Sequence, residues 1–156
     1  MSEGEQDPLS GAAGGWEAPK FPLLMPDRIC EFKISKSTVA KTKDDENRDA
    51  LTLVCKTEHD YTGADGKPLR SGFTVYKRIG ITPSEEKEDK RARTWKNIGE
   101  DLAMVLKATG KTDNTPRDLI SNPGMVEGII VKCKVGISKG TNNFPDSNTL
   151  TFVLPA

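Results

Sequence analysis

The sequence has little of what catalytic and metal-binding sites usually require. It contains a single histidine, His59, beside Asp60, and no serine or cysteine stands in a recognisable nucleophile motif. Its three cysteines, Cys30, Cys55 and Cys133, form no C-x-x-C pair and lack the usual spacing of zinc ligands. The sequence also contains no glycine-rich phosphate-binding loop. We therefore expect no enzyme activity, no metal site and no cofactor.

Net charge and long apolar runs are missing as well. The 23 basic and 23 acidic residues cancel, so a polyanion would have to bind at a local patch. No apolar run approaches the ~20 residues of a membrane-spanning helix. The first residues lack the basic start and apolar stretch of a signal peptide. These absences predict a soluble, cytoplasmic protein without a membrane partner.

The chain of 156 residues predicts one folded domain with an additional tail. Residues 1–24 are rich in glycine, alanine, proline, serine and acid, with Trp16 and Phe21 as large apolar side chains. This composition predicts a flexible N-terminal tail, and a short docking peptide is the functional alternative. Residues 25–156 are predicted to form the domain. Its cysteines fall at apolar phases of predicted strands, which favours reduced core thiols.

Alternation of apolar and polar residues predicts five strands. Their approximate ranges are 28–42, 51–56, 72–81, 129–137 and 149–154. The first strand is long enough to bend. In the third strand Lys77 interrupts the apolar phase, which predicts a bulge or a partly exposed end.

A helix is predicted between the third and fourth strands. Thr82 begins a Thr-Pro-Ser-Glu signature that is typical of a helix start. From Trp95 to Thr109 apolar residues recur at intervals of three and four, which predicts one buried stripe, and Gly110 suits the end of the helix. Residues 115–118 repeat the start signature for a short helical turn.

This order of elements favours a mainly β fold. We expect a five-stranded antiparallel barrel of the oligonucleotide-binding (OB) type, with one main α-helix between strands 3 and 4. A β-sandwich or a virion-type barrel with an inserted helix is the competing architecture.

The polar phases of the strands carry a candidate binding surface. Cations along a groove, with an aromatic ring on which a base stacks, are what single-stranded nucleic acid requires. The loop between the last two strands would add a rim. The predicted nucleic-acid-binding residues are Lys33, Lys56, Tyr76, Arg78, Lys132, Lys134, Lys139 and Phe144. Lysines that keep a sheet soluble and protect its edges are the alternative explanation, and the acidic run at 43–49 also argues against a polyanion partner.

From about Asp27 to Pro155 the chain resembles the single-stranded DNA-binding proteins that bacteriophages encode. The likeness lies in the strand order, the third strand GFTVYKRIGI, the helix ending in LAMVLKATG, and the closing pattern GIIVKCKVGISKGTNNFPDSNTLTFVLP. Many members of that family end in an acidic tail that recruits partners. In this chain the acidic segment is instead the first one, so recruitment through a C-terminal tail is not expected.

The resemblance implies sequence-independent binding of single-stranded DNA in phage replication, recombination or repair, in the host cytoplasm. Tyr76, Arg78, Lys132, Lys134 and Phe144 stand at matching places. Single-stranded DNA is then the expected partner, and the sequence leaves open both replication or recombination proteins as further partners and self-association. The alternative function is a structural or protein-interaction module, such as a virion component, that binds no nucleic acid.

Overall fold

The computed structural model describes residues 22–41, 49–82, 94–140 and 145–154. Within these ranges the chain forms seven strands, two α-helices and one 3₁₀ turn. In chain order they are β1 (Ile29–Lys41), β2 (Asp49–Thr57), β3 (Tyr61–Thr62), β4 (Pro68–Leu69), β5 (Thr74–Gly80), α1 (Trp95–Ala108), α2 (Pro116–Ser121), the 3₁₀ turn (Pro123–Val126), β6 (Ile130–Ser138) and β7 (Ser147–Val153).

Five of the strands form one antiparallel sheet in the order β5-β2-β1-β6-β7, and β3 pairs with β4 as a small separate ribbon. The main helix lies in sequence between the third and fourth strands of this sheet, as predicted. Within the described ranges no strand ladder joins the two edges, β5 and β7, so the sheet is not closed into a barrel. The mainly β class and the five-stranded antiparallel sheet are confirmed.

The long strand β1 is shared by both halves of the sheet. Residues 29–33 pair with β6, whereas residues 32–41 pair with β2. Its register with β2 shifts between Ile34 and Lys36, where one extra residue bulges out of the ladder. A bulge inverts the alternation of side chains and bends the strand. Lys36 therefore faces solvent and Ser37 is buried, which residue phase alone did not predict.

Helix α1 covers the core with the predicted stripe. Ile98, Leu102, Val105 and Leu106 are all buried, as their spacing of three and four requires. Trp95 is the exception, because it lies in the first turn and is 58% exposed. The prediction that Trp95 belongs to the core stripe is thus wrong. None of the helices that the structure describes is long and apolar enough to cross a membrane.

The C-terminal end of α1 is where the sequence predicted it, whereas its N-terminal end is not. The observed N-cap is Thr94, whose hydroxyl accepts the N–H of Asn97. Thr82 accepts the N–H of Asp49 at 2.7 Å, and the predicted helical turns at 83–93 lie outside the described residues. At the other end Gly110 adopts a φ of 74°, in the left-handed region that favours glycine, as expected of a residue that ends a helix. The short helix α2 has the predicted cap.

The core contains all three thiols. Cys30 and Cys133 are directly opposite each other on β1 and β6, Cys55 lies on β2, and all three are free and buried. Burial raises the pKa of Cys55 to about 11 and that of Cys133 to about 12, because a thiolate would lose its hydration there. The prediction of reduced core thiols is confirmed.

The segment just before β1 is tied to the last strand. Leu24 is 1% exposed and belongs to the core. The side chain of Asn148, on β7, accepts the N–H of Leu24 at 2.8 Å and donates to the carbonyls of Leu24 and Gly136, both at 3.1 Å. Residues 22–24, which we assigned to the tail, therefore pack on the domain, whereas residues 1–21 of that predicted tail lie outside the described residues.

Replacing Asn148 with alanine should lower the free energy of unfolding by about 2–3 kcal/mol, because buried backbone groups of Leu24 and Gly136 lose their partners. Urea unfolding followed by circular dichroism measures the change. The matched control is Asn97→Ala in α1, where the side chain is exposed and the change should stay within about 0.5 kcal/mol. Equal effects of the two substitutions would contradict the tethering role of Asn148.

The folded protein should react slowly with a disulfide reagent at pH 8, and all three thiols should react rapidly after unfolding in guanidinium, since only the thiolate is nucleophilic. Because the folded-state pKa values of Cys55 and Cys133 lie above the ordinary value of 9.0, their contribution to stability is complete below pH 9. It is lost as the pH rises toward 11–12. Fast reaction of the native protein at pH 8 would contradict this burial.

Candidate nucleic-acid interface

The outward face of β1, β2 and β5 carries three of the six predicted cations and one of the two predicted aromatic residues, Tyr76. The strand register sorts these residues into three parallel rows that run across the strands. The rows are Lys33, Lys56 and Thr74; Lys36, Val54 and Tyr76; and Thr38, Thr52 and Arg78. Directly opposed side chains in an antiparallel pair share one face, so the three rows form one surface. We call this surface the cation face.

Each row of the cation face carries at least one positive charge and none carries an acidic residue. Successive rows are two residues apart along β2 and β5, or about 6.6 Å at ~3.3 Å per residue. Along β1 the bulge makes the first two rows three residues apart. Five lysine, arginine and tyrosine side chains could contact a ligand here, and one of them, Lys36, was not predicted and joins the others through the bulge. The field here is locally positive even though the whole chain has no net charge.

Lys36 is the residue of the cation face that sequence reasoning missed. In a regular strand with Phe32 and Ile34 facing the core, the side chain at position 36 would also face the core. The bulge moves it to the exposed phase beside Val54 and next to the row of Lys33. Val39 could have indicated the bulge from the sequence. It is apolar but an odd number of residues from Ile34, so both can face the core only if one extra residue lies between them.

Tyr76 is the aromatic ring of the cation face. It is 59% exposed, and half-buried Val54 lies directly opposite it on β2. Arg78 follows on the same side of β5 and is also exposed. A ring held at the edge of a sheet with one face open suits stacking of an unpaired base, and a neighbouring guanidinium suits a phosphate.

A groove of about 740 Å³ opens beside Tyr76, between the unpaired edges β5 and β7. Its walls are β5, the first part of β7, the end of the β6–β7 loop and the chain just before β1. The lining residues are Pro22, Leu23, Phe73, Thr74, Val75, Tyr76, Lys77, Arg78, Ser138, Pro145, Asp146, Ser147, Asn148, Thr149 and Leu150. We call it the seam groove, and it extends the cation face past the edge of the sheet.

Lys77 holds the two sides of the seam groove together. Its ammonium donates a hydrogen bond to the carbonyl of Leu150 at 2.6 Å and lies 5.3 Å from the ring centroid of Phe152. The pairing of β2 with β5 runs without a register shift through Lys77. Of the two alternatives predicted at this position, the bulge is wrong, whereas the partial exposure is observed, because Lys77 is half-buried on an edge strand. Lys77 interrupts the apolar phase because the sheet has an open edge here, where an inward lysine finds a main-chain acceptor.

Lys132 and Lys134 are exposed on β6, but the sheet order separates them from Tyr76 and Arg78 by two intervening strands. Lys132 is opposite Glu31, at the far end of β1 from the row of Tyr76. Along the sheet surface the two groups are roughly 20 Å apart, at ~4.8 Å per strand and ~3.3 Å per residue. The predicted site is thus divided into two groups of residues, and Lys33 lies between them, because it is opposite Ile130 of β6.

The loop between β6 and β7 is described only in part. Lys139 is exposed, and its ammonium lies 3.9 Å from a carboxylate oxygen of Asp146, which also accepts the N–H of Gly140 at 2.7 Å. Asp146 and Pro145 line the seam groove, so this end of the loop borders the candidate interface. Phe144, the predicted aromatic rim, lies outside the described residues.

The only histidine does not belong to the cation face. His59 lies 3.5 Å from the carboxylate of Glu31, with its ring edge against Tyr61 at a centroid distance of 6.2 Å. The hydroxyl of Tyr61 accepts the N–H of Glu31, so these residues pack the long β2–β5 connection against β1. In the part of the chain that the structure describes, no group of three or more histidine, cysteine or acidic residues could hold a metal ion.

A search for related proteins gives no independent indication of function. The chain matches no protein-family model and no curated protein. What it does must therefore be inferred from the surfaces described above, and those surfaces combine cations, one exposed aromatic ring and an open groove.

Proposed function

We propose that this protein is a non-enzymatic, sequence-independent binder of single-stranded DNA that acts in replication, recombination or repair. The carrying observation is the cation face beside the seam groove, where Tyr76 and Arg78 share one surface with three lysines and none of the three rows contains an acidic residue. The strand would run across the strands of the sheet, from β1 over β2 and β5 into the groove.

The fold supports the proposal if the sheet is regarded as an OB-type barrel that is left open at one seam. The edge strands β5 and β7 both run parallel to β1, because each is separated from β1 by two antiparallel pairings. Lys77 spans the space between them. In OB folds the second and third strands and the loops beside them bind oligonucleotides. The corresponding strands here, β2 and β5, carry Lys56, Tyr76 and Arg78.

The chemistry of the cation face favours a single strand over a duplex. Base stacking on Tyr76 requires a base that is free of its own stack, and each such contact is worth about 1–3 kcal/mol. Four cations, Lys33, Lys36, Lys56 and Arg78, provide phosphate contacts, which carry no sequence information. The resulting binding is driven by charge and stacking, so it tolerates any base.

Binding to a fluorescein-labelled oligothymidine should weaken with salt in proportion to the number of neutralised phosphates. With four cations engaged, the slope of log K against log salt should be about −2.8, so a fourfold rise in salt lowers affinity about 50-fold. Fluorescence anisotropy at several salt concentrations measures the slope. Oligouridine in parallel tests the preference for DNA. No binding at low salt would reject the proposal and favour a protein-interaction module.

Substitutions in the two groups should separate the binding site from general positive charge. Tyr76→Ala should weaken oligothymidine binding by about 1–3 kcal/mol without changing the salt slope, because it removes a stack and no charge. The double variant Lys33→Ala/Lys56→Ala should lower the slope by about 1.4, at ~0.7 per phosphate contact.

The matched control for these lysines is Lys132→Ala/Lys134→Ala, which removes the same charge from exposed positions about 20 Å or more from Tyr76 at the strand spacings above. It should leave the slope and the affinity nearly unchanged. Equal losses in the two double variants would mean that DNA responds only to overall charge, and would overturn the assignment of the cation face.

A further inference from the structure

The first row of the cation face continues onto β6, where it ends in an exposed isoleucine. Lys33 is directly opposite Ile130 of β6 on one side and Lys56 of β2 on the other. Directly opposed residues of antiparallel strands point to the same face, so the row crosses four strands as Ile130, Lys33, Lys56 and Thr74. Ile130 is 51% exposed. An apolar side chain therefore stands at the β6 end of the row, whereas Tyr76 lies near its β5 end.

Acidic side chains border the β6 end of this row on both sides. On one side Glu31 is directly opposite Lys132, and its carboxylate lies 3.5 Å from Nε2 of His59. On the other side the carboxylate of Glu127 accepts the N–H of Ser37 at 3.0 Å. Carboxylates repel phosphates. A phosphate therefore gains little at this end of the row, whereas an uncharged base or sugar gains by covering the isoleucine.

A second exposed isoleucine on the same face of the sheet lacks this connection to the cation face. Ile29 is 60% exposed, but it lies two rows from Ile130, and the row of Glu31 and Lys132 separates them. The pairing of β1 with β2 begins only at Phe32, so the row of Ile29 does not continue onto β2. Ile29 therefore has the same chemistry and similar exposure without a place in line with the cations.

We propose that Ile130 is the terminal base contact of the single-stranded DNA path, at the opposite end from Tyr76. This inference rests on the proposed function and adds β6 to the surface that binds the strand. Ile130 and Tyr76 are three strand spacings and one row apart, or about 16 Å at ~4.8 Å per strand and ~3.3 Å per residue. A decamer covers about 30 Å even at the stacked spacing of ~3.4 Å, so one strand of that length contacts both residues.

Ile130→Thr should weaken binding of a fluorescein-labelled oligothymidine decamer about 3- to 10-fold, because half of an isoleucine side chain remains to be covered. The salt slope should not change, since no charge is removed. The matched control, Ile29→Thr, removes the same atoms and should change the affinity less than about twofold. Threonine is β-branched like isoleucine, so both variants suit a strand. Fluorescence anisotropy measures both affinities.

Methyl NMR of the native protein gives a second, direct readout of the contact. The Ile130 signal, assigned by its loss in Ile130→Thr, should shift when the decamer is added. The Ile29 signal, assigned in the same way, should shift much less, because that side chain lies outside the proposed path. Equal shifts of the two signals would contradict a path that ends at Ile130.

The affinities also separate this inference from the DNA proposal. If the native protein binds the decamer and Ile130→Thr binds it as well as Ile29→Thr does, the role of Ile130 is overturned and the DNA proposal stands. No binding by the native protein at low salt would reject both. A lower sedimentation coefficient of Ile130→Thr with unchanged decamer affinity would assign the isoleucine to a contact between copies of the chain, and would also overturn the inference.

Discussion

The bulge in β1 is the constraint on which the arrangement of this protein depends. A strand of 13 residues that pairs with β6 at one end and with β2 along the rest has to bend between them. One extra residue between Ile34 and Lys36 provides that bend, and it also reverses which side chains face the core. Ser37 becomes buried, Lys36 becomes exposed, and the three rows of the cation face come into register with β2 and β5.

The open seam is the second consequence of this geometry. The sheet curves until β5 and β7 approach each other, yet the edges are bridged by side chains and not by a ladder. Lys77 bonds the main chain of β7 from one side, and Asn148 fixes the chain before β1 from the other. The seam groove lies between the two strand edges, and Tyr76 and Arg78 are at its rim. Full pairing of these edges would remove the groove, so the proposed function needs the seam to stay open.

Most of the secondary structure could be predicted because it depends on short-range patterns. Alternation identified the five sheet strands, and spacing of three and four identified the buried face of α1. The failures have physical reasons. Trp95 fits the helical stripe but lies in the first turn, where the helix has no core beneath that position. In the alternating pattern Lys77 looks like an irregularity, because the pattern does not show that β5 is an edge strand. The carbonyl of Leu150 on β7 accepts a hydrogen bond from Lys77 there.

By itself the sequence determined the class of the fold, the reduced core thiols, and the kinds of side chain that any binding surface could use. Only the tertiary structure decided which of them act together. Sheet order placed Tyr76 and Arg78 beside Lys56 and Lys33, and it placed Lys132 and Lys134 two strands farther away beside exposed isoleucines. The reason is that alternation assigns a residue to a face of the sheet, whereas position on that face depends on pairing between strands that are distant in the chain.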